Sequence, residues 1–256
     1  MKAGVAKRRN VDPDRADAKA PLNARINATL QVQQTPLLRA QTAGTLFDMP
    51  SSPQDIIQAI SHVQLDDESM VNGSIWRLHT AVARDLLEDD SRFLQVFVAP
   101  DGSLREAMMC TRLVSFTPSP EEVGIYRGDD GQGLGGQVYD LSREQLTAIG
   151  LDDAQLRAVL GDEPGLSFTR DVQPDDEFVA PFQAEETRID DAQGQRGAKS
   201  EIWFMPYVRS LQNGAPEFLL IQMTHQTEQD GDASREVLAV QLWIGLPIEA
   251  ERIQIL

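Results

Sequence analysis

The chain has 256 residues, of which 41% are apolar and 25% are charged, a composition typical of a globular protein with a sizeable core. Its formal net charge of −17 disfavours nucleic acid and anionic bilayers as main partners, because their phosphate groups would be repelled. The single cysteine, Cys110, excludes an internal disulfide. We expect a cytoplasmic protein, since there is neither a secretory signal pattern nor an apolar stretch of about 18 residues.

Charge is divided unevenly along the chain. The first 25 residues carry seven basic and three acidic side chains, whereas the remaining 231 carry 16 basic and 37 acidic ones. Residues 1–20 are polar and show no hydrophobic period, which predicts a disordered basic tail. Residues 21–256 are predicted to form a single β-rich domain, and a division into two sub-domains near residues 120–165 is the alternative.

Strand patterns dominate the first half of this body. Apolar residues recur at about every second position, as in half-buried strands. Two segments are ambiguous. Residues 56–65 fit a strand, with an initial helical turn after Pro53 as the alternative, and residues 76–87 fit a helix or a strand. The predicted strands cover residues 24–32, 44–48, 56–65, 93–99 and 104–116.

The middle of the chain interrupts this pattern. Residues 124–139 are glycine-rich and predict a loop. Ser142 and Gln145 have the spacing of a capping box, which predicts a short helix. A second short helix is predicted to begin after Asp152 and to end at Gly161. Together these features predict a two-helix insertion.

The last third has the pattern of an antiparallel meander. Its predicted strands cover residues 201–209, 217–225 and 236–244, and residues 252–256 could add a short one. Pro206 lacks a backbone N–H, so we expect its strand to lie at an edge or to be bulged there. The chain as a whole is predicted to be a β-rich α+β protein with mainly antiparallel twisted sheets.

No constellation of catalytic or metal-binding residues stands out. Gly131, Gly133 and Gly136 have dinucleotide-fingerprint spacing, but no helix pattern opens after them. The carboxylate runs lack the ligand spacing of a calcium loop and are interpreted as solvated faces. The three histidines, at positions 62, 79 and 225, lie far apart. We therefore predict no catalytic residue, no metal site and no cofactor.

Five residues are the candidates for binding a ligand or a partner. Trp203 and Tyr207 lie on one predicted strand and could form a binding face, although core packing is the favoured interpretation. Glu185 and Glu186 lie in a strand-like segment, where a carboxylate would face solvent or pair with an arginine. Arg209 is the arginine that we predict to pair with a carboxylate of this segment.

Several segments, in this order, resemble the YjfK-like family of uncharacterised bacterial proteins. The resemblance covers residues 21–256 and is weakest in the glycine-rich and helical middle. It is carried by the segments PLNARINATLQV, GTLFDMP, ISHVQL, RLHT, FLQVFV, VAPFQAEET, MPYVR, EFLLIQM, IGLPI and IQIL. The family is a domain of unknown function without established catalytic residues, so no site residue is implied.

The resemblance also implies a genetic setting. Genes of this family often lie beside those for a PspA-like membrane-stress protein, a small integral membrane protein and an ATP-grasp ligase. The implied role is that of a cytoplasmic accessory protein, with peripheral association to the inner membrane as an option. A PspA-like protein or an ATP-grasp ligase would then be the protein partner.

Three hypotheses for function follow. The leading one is a non-catalytic interaction or adaptor protein of a membrane-stress operon. The second is a hydrolase-like enzyme whose carboxylate- or histidine-based site is assembled only in the fold. It requires a concave pocket that holds two or more of His62, His79, His225 and the acidic residues within hydrogen-bond reach. The third is a small-ligand-binding module, which requires the rings of Trp203 and Tyr207 to line an open groove.

Overall fold

The computed structural model describes residues 14–66, 73–82, 86, 91–173, 176–234 and 236–256. Within these ranges the strands are β1 (Thr29–Val32), β2 (Gln54–Ile56), β3 (Ala59–Leu65), β4 (Ser74–Ala81), β5 (Arg92–Val98), β6 (Leu104–Phe116), β7 (Val138–Ser142), β8 (Gly165–Arg170), β9 (Phe182–Ile189), β10 (Gly197–Ser210), β11 (Pro216–Gln229), β12 (Val237–Pro247) and β13 (Ile253–Ile255). The helices are α1 (Thr35–Gln41), α2 (Val123–Arg127), α3 (Arg143–Ala148) and α4 (Asp153–Leu160). The predicted β-rich α+β class with antiparallel sheets is confirmed.

Eight of these strands close into an antiparallel barrel. Their order is β11-β12-β6-β5-β4-β3-β9-β10, and the pairing of β10 with β11 closes the ring. β8 and then β7 continue from β10 outside the barrel, while β13, β1 and β2 form a separate small sheet. The sequence did not predict closure, because the ring depends on the distant pairing of β3 with β9, where Ile60 lies opposite Ile189.

The barrel wall has an apolar inner cluster and a larger outer core. Side chains alternate between the two faces of a strand, so every second residue of the wall points inward. The outer face packs against the N-terminal segment and the helices, and this contact forms the main hydrophobic core. The inner cluster contains Val63, Phe93, Cys110, Ala184, Ile202, Phe204, Leu220 and Trp243.

The two predicted helices of the insertion are present with their predicted caps. Ser142 Oγ accepts from the Gln145 N–H, and the Gln145 side chain accepts from the Ser142 N–H. Asp152 and Gln155 form the same reciprocal pair at the start of α4, which ends at Gly161. A capping box satisfies backbone donors that an isolated helix start leaves unpaired, and this local chemistry is readable from sequence.

Several local predictions in the first half differ from the structure, and the strand predicted over residues 24–32 is confined to β1, Thr29–Val32. Helix α1 was not predicted, because only Leu37 and Ala40 of its seven residues are buried and its apolar period is short. Helix α2 lies at the start of the segment predicted as a loop. Residues 44–48 do not form a strand, because Leu46 donates its backbone N–H to a side chain, the carboxylate of Glu217.

Pro206 lies where β10 changes neighbours. The pairing of β10 with β9 ends at Phe204, and its pairing with β8 begins at Tyr207. The Pro206 carbonyl accepts from the Asp171 N–H, so the position without an N–H falls in the gap between two neighbouring strands. The expected edge position therefore exists locally, inside a strand that is otherwise paired.

The chain is anchored upstream of Pro21. Residues 1–13 of the predicted tail lie outside the described residues, but Ala16–Lys19 form a 3-10 turn. The buried Asp17 carboxylate accepts two hydrogen bonds from Arg15, at 2.8 and 2.6 Å, and one from the Ile26 N–H at 2.9 Å. Burial would raise the pKa of Asp17, but these hydrogen bonds and the charges of Arg15 and Arg25 outweigh it and lower the pKa.

No described helix combines the length and the apolar character needed to cross a bilayer. The longest, α4, has eight residues.

A buried ion pair holds the segment around Thr45 against the barrel. Glu217 is 0% exposed, and its carboxylate accepts from Arg209 Nε at 2.6 Å, from the Leu46 N–H at 2.8 Å and from the Thr45 hydroxyl. Arg209 also donates to the Gly44 carbonyl at 2.7 Å. The guanidinium and the carboxylate therefore satisfy both each other and the backbone of the docked segment.

Replacing Glu217 with alanine should destabilise the protein by about 3–5 kcal/mol, because Arg209 would be left as an uncompensated buried charge. Urea unfolding measures this loss. The matched control is Glu185→Ala, which removes an exposed carboxylate and should change stability by less than about 0.5 kcal/mol. Equal effects of the two substitutions would contradict the assigned role of Glu217.

Candidate functional site

A cavity of about 50 Å³ lies inside the barrel, next to the apolar inner cluster. Phe93 and Trp243 belong to both, with ring centroids 4.7 Å apart, so they form the boundary between the apolar and the polar ends. The cavity is lined by Arg77, His79, Val82, Leu86, Ser91, Phe93, Arg112, Glu186, Arg188, Ala198, Ser200, Gln222, Thr224, Gln226, Gln241 and Trp243.

Arg77 is the central charge of the polar end. It is 2% exposed and comes from β4. Its guanidinium donates Nη1 to Glu186 Oε2 at 2.8 Å, Nη2 to Gln222 Oε1 at 2.8 Å and Nε to Gln95 Oε1 at 3.1 Å. The guanidinium also lies over the Phe93 ring, 4.9 Å from its centroid. One side chain thus connects β4, β5, β9 and β11 across the interior.

A chain of hydrogen bonds continues from Arg77 along the inner wall. Gln222 Nε2 donates to Thr224 Oγ1 at 2.8 Å, and Thr224 Oγ1 donates to Gln241 Oε1 at 3.1 Å. Gln241 Nε2 then donates to the Leu86 carbonyl at 3.4 Å. Each member donates in the same direction, so the network satisfies buried polar groups that would otherwise be costly.

The Leu86 carbonyl accepts hydrogen bonds from two further donors at this end of the barrel. Arg112 Nη1 lies 2.9 Å from it and Ser115 Oγ lies 2.6 Å from it. The Arg112 guanidinium is also stacked over Trp243, 5.3 Å from the centroid of the ring. A second positive charge is therefore fixed beside the cavity.

The indole N–H of Trp243 is buried without an acceptor among the described residues. Trp243 is 4% exposed, and its Nε1 has no hydrogen-bond partner among the described residues. A buried donor without a partner costs about 1–3 kcal/mol. The unpaired N–H is therefore a local cost in stability at the boundary between the apolar and the polar ends.

Three guanidiniums lie in the wall of the cavity. Arg77, Arg112 and Arg188 line it, and Glu186 is the carboxylate that accompanies them among the described lining residues. Arg188 also donates Nε and Nη2 to Asp190, at 2.8 and 3.2 Å. The three guanidiniums are thus gathered at one recess of a protein whose net charge is −17.

His79 is held neutral inside the barrel. Burial, with the nearby charges of Arg188 and Arg77, holds the pKa of His79 well below its usual value of 6.5. Its Nε2 is 2.8 Å from Ser61 Oγ and 4.0 Å from Glu186 Oε1. Ser61 is fully buried and is not part of the cavity wall. Both Ser61 and Glu186 approach Nε2 of the His79 ring. A serine triad instead places its carboxylate on the other nitrogen.

The other histidines lie elsewhere on the barrel. His62 packs on Trp76, with ring centroids 4.5 Å apart, and His225 Nδ1 lies 3.6 Å from Glu201 Oε2. Neither lines the cavity, so His79 is the one histidine of the three that does. Cys110 is buried, which raises the pKa of its thiol to about 12. No group of three potential metal ligands occurs among the residues that the structure describes.

Trp203 and Tyr207 do not line an open groove. Trp203 is 9% exposed in the outer core, with the Arg127 guanidinium 4.7 Å from its ring centroid. Tyr207 is 1% exposed, and its hydroxyl accepts from the Gly135 N–H at 3.0 Å. The third hypothesis is therefore wrong in its placement of the ligand on these two rings.

The predicted carboxylates separate between the two faces of β9. Glu186 points into the barrel and lines the cavity, whereas Glu185 is exposed. The predicted pairing of this segment with Arg209 is wrong, because Arg209 pairs with Glu217 and Glu186 pairs with Arg77.

Sequence reasoning missed most of the cavity. The available signal was a polar residue at every second position of β11: Gln222 and Thr224 alternate with apolar Ile221 and Met223, and Gln226 continues the same face. The same pattern occurs on a solvated strand face, so only closure of the barrel shows that these side chains point inward.

Comparisons with family models, with curated proteins and with solved structures found no match to this chain.

Burial of neutral His79 should make stability depend on pH. Below about pH 6.5 the unfolded chain takes up a proton at this position and the folded chain does not, so stability should fall as the pH falls. Protonation of this one histidine in the unfolded chain should lower the free energy of unfolding by at most about 1.4 kcal/mol for each pH unit. Urea unfolding of the wild type and of His79→Gln between about pH 7.5 and 5.5 tests this.

The His79→Gln variant should lose part of the dependence of the unfolding free energy on pH. The control His225→Gln, at a half-exposed position, should retain it. Parallel curves for the wild type and His79→Gln would contradict the assignment of a neutral buried imidazole.

Proposed function

We propose that this protein is a non-catalytic binding protein and that the polar end of its barrel takes a small anion. The observation that carries the proposal is the described cavity wall, which brings the guanidiniums of Arg77, Arg112 and Arg188 to one recess. Guanidiniums gathered in a recess provide a local positive field and N–H donors for an anion, in a protein whose net charge of −17 otherwise repels anions from its surface.

The physical basis is the low dielectric of the barrel interior. Arg112 and Arg77 are 7% and 2% exposed, so solvent screens the charges of their guanidiniums only weakly. Charges held by fixed hydrogen bonds interact more strongly with a ligand than solvated charges do, because they need no reorganisation on binding. Several lining residues, Glu186, Arg188 and Ser91 among them, are half-buried, so the cavity reaches the surface.

Binding without catalysis is favoured by the arrangement of the polar groups. The Ser61–His79 pair has the separation of a nucleophile and its base, but Ser61 does not reach the cavity wall. Glu186 is occupied by Arg77. The described lining therefore supplies hydrogen-bond donors and positive charge rather than an activated nucleophile.

The role in a membrane-stress operon stays a prediction. It rests on the resemblance to the YjfK-like family, as do the PspA-like or ATP-grasp partner and the position near the inner membrane. A non-catalytic anion-binding protein is compatible with such a role, since binding of a ligand can bias association with a partner.

A small anion should raise the thermal stability of the protein in a saturable manner, because a ligand of the folded state stabilises it by mass action. Bromide, acetate and phosphate would be compared at equal ionic strength with a bulky sulfonate buffer that the cavity cannot admit. Arg188→Gln should weaken the apparent affinity by about tenfold, which corresponds to about 1.4 kcal/mol.

The matched control is Arg105→Gln, which removes an exposed arginine of β6 and should leave the affinity unchanged. The proposed function fails if none of the three anions stabilises the protein more than the bulky sulfonate does.

A further inference from the structure

We infer that anion binding in the barrel is coupled to the uptake of a proton at His79, so that the protein binds its anion more tightly as the pH falls. This inference rests on the proposed function and specifies how the same site is regulated. It is carried by the position of His79 in the cavity wall, by the charged groups around its ring and by the small size of the space.

The imidazole of His79 lies in the wall of the cavity rather than behind it. His79 is one of the lining residues, and its side chain is 9% exposed. Its neighbours across the strands are Ala59 on β3 and Phe93 on β5, and the Phe93 ring meets the imidazole edge-on, with centroids 5.4 Å apart. The ring is therefore held between two strands while part of its surface borders the cavity.

The charged groups around His79 come from three strands. Arg77 lies two positions before it on β4, Glu186 and Arg188 come from β9, and Arg112 of β6 lines the same cavity. The described lining residues of β10, β11 and β12 carry no titratable group. Burial, and then the charges of Arg188 and Arg77, keep the pKa of the ring low, so the ring of the empty site is neutral.

The surroundings of the ring accept a proton in geometry but not in charge. Ser61 Oγ of β3, 2.8 Å from His79 Nε2, can accept a hydrogen bond from an imidazolium. Glu186 Oε1 is 4.0 Å from the same nitrogen, but this carboxylate is already paired with a guanidinium. Cys110 lies beyond Phe93 in the same row of the wall, and burial raises the pKa of its thiol to about 12, so it stays neutral.

An anion in the cavity supplies the missing negative charge. A space of about 50 Å³ has room for roughly three to five water molecules, so a bound anion and the imidazole are close neighbours with little water to screen their charges. An opposite charge within about 4–6 Å raises the pKa of a histidine, because it favours the imidazolium. Binding of the anion and protonation of His79 therefore strengthen each other by the same factor.

The affinity for the anion should consequently rise as the pH falls. The anion-bound protein has the higher His79 pKa, so the affinity increases as the pH falls through that pKa and levels off below the pKa of the empty site. A nearby opposite charge changes a pKa by about 1–3, and a change of 1 corresponds to tenfold in affinity. The affinity for bromide should increase by at least about threefold between about pH 7.5 and 5.

The test is a titration of the full chain with bromide at several pH values in this range, with a bulky sulfonate holding the ionic strength constant. Bromide has no titratable proton, so a pH-dependent affinity belongs to the protein. The saturation of thermal stabilisation gives the affinity, and the imidazole C–H signals in the proton NMR spectrum report the charge of each histidine. Near the low end of the range, bromide should move the His79 signal towards the position of an imidazolium.

Two variants assign the signals without touching the site. His62→Gln and His225→Gln each remove one signal and leave the third to His79, and both should bind bromide as the wild type does, because neither residue lines the cavity. His79→Gln removes the proton acceptor and keeps a polar side chain. Its affinity for bromide should change by less than about twofold over the same range, from the loss of negative charge elsewhere on the protein.

The outcomes separate the two proposals. An affinity that does not depend on pH, or a His79 signal that stays neutral at saturating bromide, would overturn the inference and leave the proposed function standing. A pH dependence that persists in His79→Gln would also overturn it, because another group would then take up the proton. If that variant does not fold, the wild-type His79 signal still decides.

Absence of bromide binding at every pH would overturn the inference as well. The proposed function fails with it only if acetate and phosphate also do not bind.

Discussion

The pair of Arg77 and Glu186 inside a closed barrel is the interaction on which the polar end depends. A buried guanidinium is tolerated only where its charge is compensated and its donors are satisfied, and here β9 supplies the carboxylate while β5 and β11 supply amide oxygens. These contacts cross the interior, so they require the distant pairing of β3 with β9 and the closure of β10 on β11. The ion pair and the barrel are therefore mutually dependent.

The division of the interior into two ends follows from this pair. Apolar side chains fill one end up to Phe93 and Trp243. Beyond them, hydrogen-bonding side chains extend from Arg77 along β11 and β12 to the Leu86 carbonyl, and they leave a space instead of close packing. Polar groups that satisfy one another along a wall do not fill a barrel as Leu or Ile would, because their geometry is set by hydrogen bonds.

Local chemistry was predictable from the sequence, and long-range pairing was not. The caps of α3 and α4 and the bounds of β6 agree with the sequence because each depends on neighbouring residues. Glu186 was singled out without its partner Arg77, which lies 109 positions away. Trp203 was singled out for its ring, whereas Trp243, which lines the cavity, was not singled out.

The most direct test of the central claim is the location of bromide in crystals of the full chain by anomalous scattering. Bromide is a small monoanion that can enter the cavity and accept a hydrogen bond. We expect an anomalous peak inside the barrel, in the cavity that Arg77 and Arg188 line. A cavity that contains only water, in crystals that hold bromide at other sites, would contradict it.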